Sequence, residues 1–228
     1  ILATGSYVPE RRVKTREMES WTFENRLGQP YHVLAEEVIE KTGIEERRYA
    51  APDEATSDLA ARAGKQALDR AGVHPDEVDL VLLATSTPDY HVPKCAPLVA
   101  HKLGMHGVPA YDFGKDCTGF VEALEAANYY IRAERHEQIL VIGADICSRI
   151  VNPKNKASAI LFGDGAGAVL LGASEEPERG FLLAVSGSQG EDYDKLYIPA
   201  GGSALPHTSE LSEMQFRLVS DPEMVATF

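Results

Sequence analysis

The stretch Asp112-Phe113-Gly114-Lys115-Asp116-Cys117-Thr118-Gly119-Phe120 joins an apolar segment to an amphipathic one. The run from Val108 to Phe113 predicts a short strand, and four apolar residues follow Cys117 at helical spacing: Phe120, Val121, Leu124 and Ile131. Cys117 is therefore predicted to open a helix, where unpaired N–H groups and the helix dipole favour the reactive thiolate. This position indicates a nucleophile, and the alternative is a buried cysteine acting as a small hydrophobic residue.

Short apolar runs alternate with amphipathic segments along the rest of the chain. The predicted strands are Ile1–Thr4, Asp79–Thr85, Val108–Phe113, Gln138–Gly143, Ala166–Leu171 and Phe181–Ser186. The predicted helices are Ser57–Ala71, Pro93–Leu103 and Cys117–Ala133. The continuous apolar run from 79 to 85 is typical of a parallel strand that is covered on both faces. The alternation predicts an α/β architecture with a parallel sheet and helices on both of its faces.

Composition excludes several classes of function. A net charge of −13 over 228 residues argues against nucleic acid as a partner, because phosphate backbones demand basic patches. No apolar stretch approaches the ~20 residues of a membrane span, and no signal peptide is recognisable. The cysteines at 95, 117 and 147 lack metal-binding spacing and cannot all pair, so we expect a reducing, cytoplasmic location.

Three further motifs accompany the cysteine stretch. Ile1–Pro9 reads ILATGSYVP, Lys41–Arg48 reads KTGIEERR, and Phe162–Ala168 reads FGDGAGA. In this order, with the cysteine stretch before the last, they resemble the beta-ketoacyl-ACP synthase III branch of the thiolase superfamily, with a poor match between residues 19 and 40. The resemblance implies a thiolase-like αβαβα sandwich. It assigns residues 1–172 to the N-terminal half, and residues 173–228 to a remaining strand, a loop and the start of the C-terminal half.

The same resemblance implies a condensing enzyme of fatty acid or polyketide biosynthesis. Cys117 would be acylated by a thioester, from acyl-CoA or an acyl carrier protein, and the acyl-enzyme would condense with a malonyl thioester with loss of CO2. A homodimer is implied and no cofactor is expected. The acidic chain suits an acidic carrier protein poorly unless its lysines and arginines cluster locally. The glycines of Phe162–Ala168 precede a β-like run rather than a helix, so we predict a turn there, not a phosphate loop.

Four substrate-binding residues follow from the resemblance. Lys156 falls where the family usually has an arginine near the pantetheine or nucleotide phosphates. Leu161 and Phe162 fall where the family lines the substrate channel, although both also suit a plain hydrophobic core. Val92 matches the position, often Phe, that crosses the dimer and closes the partner's acyl pocket. A valine there is expected to admit a longer or branched acyl group.

The sequence also departs from the family pattern. Glu37 stands where a tryptophan commonly stacks on the adenine of coenzyme A, and Trp21 either substitutes for that ring or packs internally. A carrier-protein thioester is therefore as plausible a donor as coenzyme A. Asp116 replaces a small residue before the cysteine, and its carboxylate would disfavour the thiolate unless Lys115 or the family's histidine offsets it.

The family's histidine and asparagine motifs do not occur in the 228 residues. Asp221-Pro222-Glu223 predicts the start of a helix, so we expect a larger protein or one subunit of a split one. Two alternatives remain: an acyltransferase that moves the acyl group onto a hydroxyl or amine, and a non-catalytic partner that completes a dimer. A papain-like hydrolase is disfavoured, because no histidine partner follows the cysteine in a recognisable motif.

Overall fold

The computed structural model describes residues 1–25, 27–174, 176, 180–208, 210–213 and 217–220. These residues form two compact units. The first comprises Ile1–Glu10, Ala50–Ile146 and Asp164–Ser186, and the second comprises Arg11–Tyr49, Cys147–Gly163 and Gly187–Phe228. The helix start predicted at Asp221 lies outside the described residues. The predicted boundary between residues 172 and 173 stays a prediction.

The elements are numbered in chain order. The strands are β1 (Ala3–Tyr7), β2 (Arg11–Lys14), β3 (Phe23–Glu24), β4 (Pro30–Tyr31), β5 (Glu46–Tyr49), β6 (Leu80–Ala84), β7 (Ala110–Phe113), β8 (Gln138–Ile146), β9 (Asp164–Gly172), β10 (Leu196–Tyr197) and β11 (Val219–Ser220). The α-helices are α1 (Ala35–Thr42), α2 (Thr56–Ala71), α3 (Cys95–Lys102), α4 (Gly119–Arg132) and α5 (Lys156–Ala159). None of these helices, within the part of the chain described, has the length and apolar character needed to cross a bilayer.

The first unit is built on a five-stranded sheet with the order β1-β9-β8-β6-β7. Strand β6 runs parallel to β7 and to β8, whereas β9 is antiparallel to both β8 and β1. The predicted α/β class is confirmed, but the prediction of a parallel sheet is wrong for one strand, β9, which runs opposite to the other four. Parallel strands are usually joined by a crossover helix, whereas the connection from residue 147 to 163 holds a three-ten turn at Cys147–Arg149 and the four-residue α5.

Helices cover both faces of this sheet, as predicted. Val81 and Leu83 of β6 belong to a buried cluster with residues of α2 and α3. The alternate residues Leu80 and Leu82 belong to a second cluster with Ala123 and other residues of α4. All four side chains are fully buried, so the central strand is apolar throughout because side chains alternate between two covered faces.

Two predicted segments differ in the structure. Phe181–Ser186 is not a strand: Leu182 and Val185 are 91% and 87% exposed, and no strand among the described residues pairs with the segment. An apolar run needs a hydrogen-bonding partner to become a strand. The glycine motif is not a turn either, because β9 already begins at Asp164. The Oδ2 atom of Asp164 accepts a hydrogen bond from the Ala50 N–H at 2.7 Å.

The second unit packs short elements around its own apolar cluster. Strand β2 pairs antiparallel with β5, and β3 pairs antiparallel with β4. The buried members of the cluster are Met18, Phe23, Val33, Val38, Ala159 and Ile160. Helix α1 contributes Val38 and α5 contributes Ala159, so residues far apart in the sequence share one core.

Glycine at position 5 lets β1 lie directly against α2. A Cβ atom at Gly5 would stand 2.1 Å from the Ala63 carbonyl oxygen and 2.6 Å from the Ala67 nitrogen. Real Cβ atoms do not approach main-chain atoms so closely, so any side chain here must push the strand off the helix. This contact holds one edge of the sheet against its helical layer.

We expect Gly5→Ala to lower the free energy of unfolding by about 1–3 kcal/mol, because overpacking forces backbone shifts. Thermal or denaturant unfolding of the purified protein measures this change. Gly187→Ala is the control, since a Cβ there meets nothing within 4 Å. Equal stability of the two variants would show that β1 does not pack on α2 as described.

Candidate active site

Cys117 lies at the junction between β7 and α4. Strand β7 ends at Phe113, a three-ten turn spans Asp116–Thr118, and α4 begins at Gly119. The cysteine therefore precedes the helix by two residues instead of being its first residue, and it is exposed. A thiol at this position is accessible from solvent at the carboxyl end of a strand.

Small residues bring the first turn of α4 down onto the sheet. A Cβ atom at Gly119 would stand 3.2 Å from the Ala84 Cβ and 3.3 Å from the Phe113 carbonyl oxygen. A Cβ atom at Gly143 of β8 would stand 3.2 Å from the Phe120 ring. Helix and strands thus pack closely because these glycines lack side chains, and we infer that this packing sets the height of the Cys117 turn above the sheet.

Asp116 and Lys115, the two residues before the cysteine, differ in backbone conformation and in side-chain contacts. Asp116 has a φ of +45°, in the left-handed region that is strained for a residue with a side chain. The Lys115 Nζ lies 2.5 Å from the Glu122 Oε1, so this ion pair links the turn to the first turn of α4. Lys115, one of the two residues that could offset the Asp116 carboxylate, thus has its ion pair with Glu122. Asp116 is exposed, and solvent and salt screen its carboxylate.

The other two cysteines have different environments. Cys95 is fully buried, and burial raises the pKa of its thiol to about 12. Its Sγ lies 3.4 Å from the Asp89 Oδ1, to which it donates. Cys147 is half-buried, and none of the three cysteines, all of which lie in the described part of the chain, is in a disulfide. Because the thiolate is the reactive form, Cys95 is the least suited of the three to act as a nucleophile at neutral pH.

Val92 lies in the segment between β6 and α3, in the same unit as Cys117. Its side chain is 85% exposed, and the neighbouring His91 is exposed as well.

The start of this segment is held by Asp145 of β8, a residue that the sequence analysis missed. Burial raises the pKa of the Asp145 carboxyl. The available signal was an acidic residue directly after the apolar run of β8, at the sheet edge where the parallel strand β6 also ends.

Lys156, Leu161 and Phe162 lie together in the second unit. Lys156 is the first residue of α5, whose preceding Asn155 accepts a hydrogen bond from the Ser158 N–H at 3.4 Å. Leu161 is 38% exposed and Phe162 is half-buried. Neither side chain is a fully buried core residue, so both are available to contact a bound molecule.

Arg47 anchors the segment that precedes Leu161, and it is a second residue that was not predicted from the sequence. Its guanidinium group is buried, and it donates to the Ile160 carbonyl at 2.9 Å and to the Thr15 Oγ1 at 3.3 Å. A third contact joins it to the sulfur of Met18 at 3.2 Å. Burial lowers the pKa of Arg47. The segment before Leu161 is therefore tied to the turn at Thr15–Ser20 by one buried side chain.

The positions where the sequence departs from the family pattern are also defined. Glu37 is exposed on α1, and Lys41 is exposed in the last turn of the same helix. The Trp21 ring lies 6.4 Å from that of Phe23 and packs against the apolar cluster of the second unit. Of the two interpretations of Trp21, internal packing is the one that the structure supports.

Comparisons with known proteins connect this geometry to a family. Residues 111–190, which include Cys117, match the family described as 3-oxoacyl-[acyl-carrier-protein (ACP)] synthase III. A 3-oxopimeloyl-[acyl-carrier-protein] synthase of Rhodothermus marinus is 46% identical over 92% of this chain and 58% of its own length. A beta-ketoacyl-[acyl-carrier-protein] synthase III of Caldanaerobacter subterraneus is 37% identical over 96% of this chain and 63% of its own.

A solved structure agrees with these sequences. The beta-ketoacyl-[acyl carrier protein] synthase III of Thermus thermophilus superimposes with a TM-score of 0.83 and 34% identity, covering 98% of this chain and 65% of that one. The chain thus spans less than two thirds of the length of each of these relatives. The thiolase-like fold predicted from the motifs is confirmed. In sequence and in fold, the chain is similar to the 3-oxoacyl-[acyl-carrier-protein] synthases III.

Proposed function

We propose that this chain carries the nucleophile of a decarboxylative condensing enzyme, which joins an acyl group to a malonyl thioester. The observation that carries the proposal is the position of Cys117. It is an exposed thiol on a turn between a parallel strand and a helix, inside the segment that matches the synthase III family. We infer no cofactor, because acyl transfer through a thioester needs none.

Acylation of the cysteine is the first proposed step. The Cys117 thiolate attacks the carbonyl carbon of the acyl thioester, and the donor leaves as a free thiol. Negative charge develops on the carbonyl oxygen, and N–H groups at a helix start lack partners within the helix. The N–H of Cys117 itself is our candidate for one of the donors that stabilise this oxyanion.

Condensation is the second proposed step. The malonyl thioester loses CO2, and the enolate that remains attacks the acyl carbon on Cys117. A carbon–carbon bond forms, the carbon–sulfur bond breaks, and the cysteine leaves as a thiolate. The histidine and asparagine motifs that the family resemblance assigns to enolate stabilisation do not occur in these 228 residues, which span less than two thirds of the length of the two relatives. Turnover is therefore proposed for the complete protein.

The donor is proposed to be an acyl thioester of a carrier protein or of coenzyme A. Lys156 supplies a positive charge for phosphate, as a point charge and without the paired donors of arginine. Exposed Glu37 cannot stack on an adenine, and Trp21 packs internally. The lack of a stacking ring at Glu37 and the internal packing of Trp21 both favour a carrier protein as the donor.

The proposed enzyme acts as a homodimer in which Val92 reaches the acyl pocket of the partner.

Val92 and one relative indicate which acyl groups the proposed enzyme accepts. A valine leaves more room than phenylalanine, which favours long or branched acyl groups. The Rhodothermus relative is named for a 3-oxopimeloyl product. A condensation that adds two carbons would make such a product from a glutaryl thioester. Glutaryl is therefore a donor to test beside unbranched ones.

Two alternatives are kept because the sequence allows them. An acyltransferase to a hydroxyl or amine would use the same acyl-cysteine without decarboxylation. A non-catalytic partner would keep the fold without the chemistry, and Asp116 beside the cysteine is the feature that allows it. The exposed thiol of Cys117 favours the condensing enzyme over the non-catalytic partner.

When the complete protein is incubated with an acyl thioester, we expect one acyl group on the peptide that contains Cys117. Mass spectrometry of the digested protein locates it. Peptides containing Cys95 should remain unmodified, since burial keeps that thiol protonated. Cys117→Ala should abolish labelling and condensation, whereas Cys147→Ala, the matched control, should preserve both. Acyl groups on Cys147 alone would contradict the assignment.

Replacing the exposed valine should change which acyl groups are accepted. We expect Val92→Phe to lower kcat/KM for a long or branched donor relative to acetyl by about tenfold, the size of discrimination that one pocket contact supplies. Steady-state rates with the two donors give the ratio. A Val92→Leu variant is the control for a smaller increase in volume. An unchanged ratio in Val92→Phe would show that this residue does not border an acyl pocket.

A further inference from the structure

We propose that Asp145 is a positioning residue for the segment Ser86–Lys94, and that it sets acyl selectivity through the position of Val92. This inference rests on the proposed function, because it takes Val92 to border the acyl pocket. Asp145 itself touches no substrate in this account. It acts through a hydrogen-bond network at the carboxyl ends of β6 and β8.

One oxygen of Asp145 gathers three donors from the start of the segment. The Asp145 Oδ1 accepts from the Ser86 N–H at 2.8 Å, from the Thr87 Oγ1 at 3.0 Å and from the Thr85 Oγ1 at 3.2 Å. Three consecutive residues after β6 are thereby fixed to β8. The carboxylate has no ion pair within the described residues, so these donors are what compensates its burial.

The remaining hydrogen bonds determine which acceptor the hydroxyls of Thr85 and Thr87 donate to. The Thr87 Oγ1 accepts from the Ile146 N–H at 2.8 Å, and the Thr85 Oγ1 accepts from the Thr87 N–H at 3.1 Å. Each hydroxyl that accepts in this way keeps its own hydrogen for Asp145. The Thr56 hydroxyl closes the network by donating to the Thr87 carbonyl at 2.5 Å. An acceptor at position 145 is therefore required for the network to be complete.

The segment is also held on both sides of residues 90–92 by separate contacts, through Asp89 before them and through the start of α3 after them. Asp89 accepts from the Ser57 N–H at 2.9 Å and from the Ser57 Oγ at 2.6 Å. Asp112 of β7 accepts from the N–H groups of Cys95 and Ala96, at 2.9 and 2.6 Å, at the start of α3. The contacts at Asp112 attach the segment to the strand that leads to Cys117.

The exposed tip of the segment lies between Asp89 on one side and the start of α3 on the other. Tyr90, His91 and Val92 are exposed, whereas Thr85 is buried and Ser86 and Thr87 are half-buried. A tip of this kind takes its position from its anchors, because it has few contacts of its own. Loss of the anchor at Asp145 should therefore displace Val92 without removing any group that reacts.

The test compares three variants of the complete enzyme. Asp145→Leu removes the acceptor at similar volume. Asp145→Asn keeps one carbonyl oxygen that can accept the same bonds, so it is the conservative rescue. Asp69→Leu makes the same change at an exposed acid on α2 and controls for charge. Hydrogen exchange of the peptide covering residues 86–94 reports the anchor, and the ratio of kcat/KM for a long donor to that for acetyl reports selectivity.

We expect Asp145→Leu to speed exchange in residues 86–94 and to shift the selectivity ratio by about tenfold, as a displaced pocket wall would. Asp145→Asn should recover most of both properties, and Asp69→Leu should change neither. A shift in exchange with an unchanged ratio would overturn the role in selectivity. Unchanged exchange in Asp145→Leu would overturn the anchor itself. If wild-type Cys117 takes no acyl group, the proposed function fails and the selectivity claim with it, while exchange still decides the anchor.

Discussion

The contact between the first turn of α4 and the end of β6 is the constraint on which the site depends. Gly119 has no room for a Cβ atom without contact closer than usual, at 3.2 Å from the Ala84 Cβ and 3.3 Å from the Phe113 carbonyl oxygen. The absence of a side chain at Gly119 therefore lets the helix lie close to the sheet, and apolar burial of its inner face keeps it there. Cys117 stands two residues before this contact, so its height above the sheet is set by packing rather than by its own bonds.

The same edge of the sheet organises the rest of the first unit's candidate residues. Strands β6 and β7 are parallel and both end here, so the residues that follow them are near neighbours. Asp112 connects β7 to the start of α3, and Asp145 connects β8 to the start of the Val92 segment. The reactive turn and the proposed pocket wall thus rest on one rigid layer, which is how a precise site is supported by a fold.

Much of this arrangement was predictable from local patterns. The helix ending at Ala71 and the strand around Leu80–Ala84 follow directly from periodicity and glycine stops, and the cysteine junction follows from its flanking segments. Patterns could not show that β9 is antiparallel, since strand direction depends on the connection and not on residue types. Patterns also missed Arg47 and Asp145. A charged residue is expected on the surface from the sequence alone, and its burial is understood only when its distant hydrogen-bond partners are known.

The most direct test of the packing constraint is the rate at which iodoacetamide alkylates Cys117 in Gly119→Ala. The added Cβ should displace the turn, so we expect an alkylation rate that differs from that of the wild type. Gly64→Ala is the matched control: its Cβ would meet Leu103, Ile142 and Leu140 side chains at similar distances on α2, away from the cysteine. We expect the wild-type alkylation rate in Gly64→Ala. The same rate in both variants would contradict the claim that packing at Gly119 sets the position of Cys117.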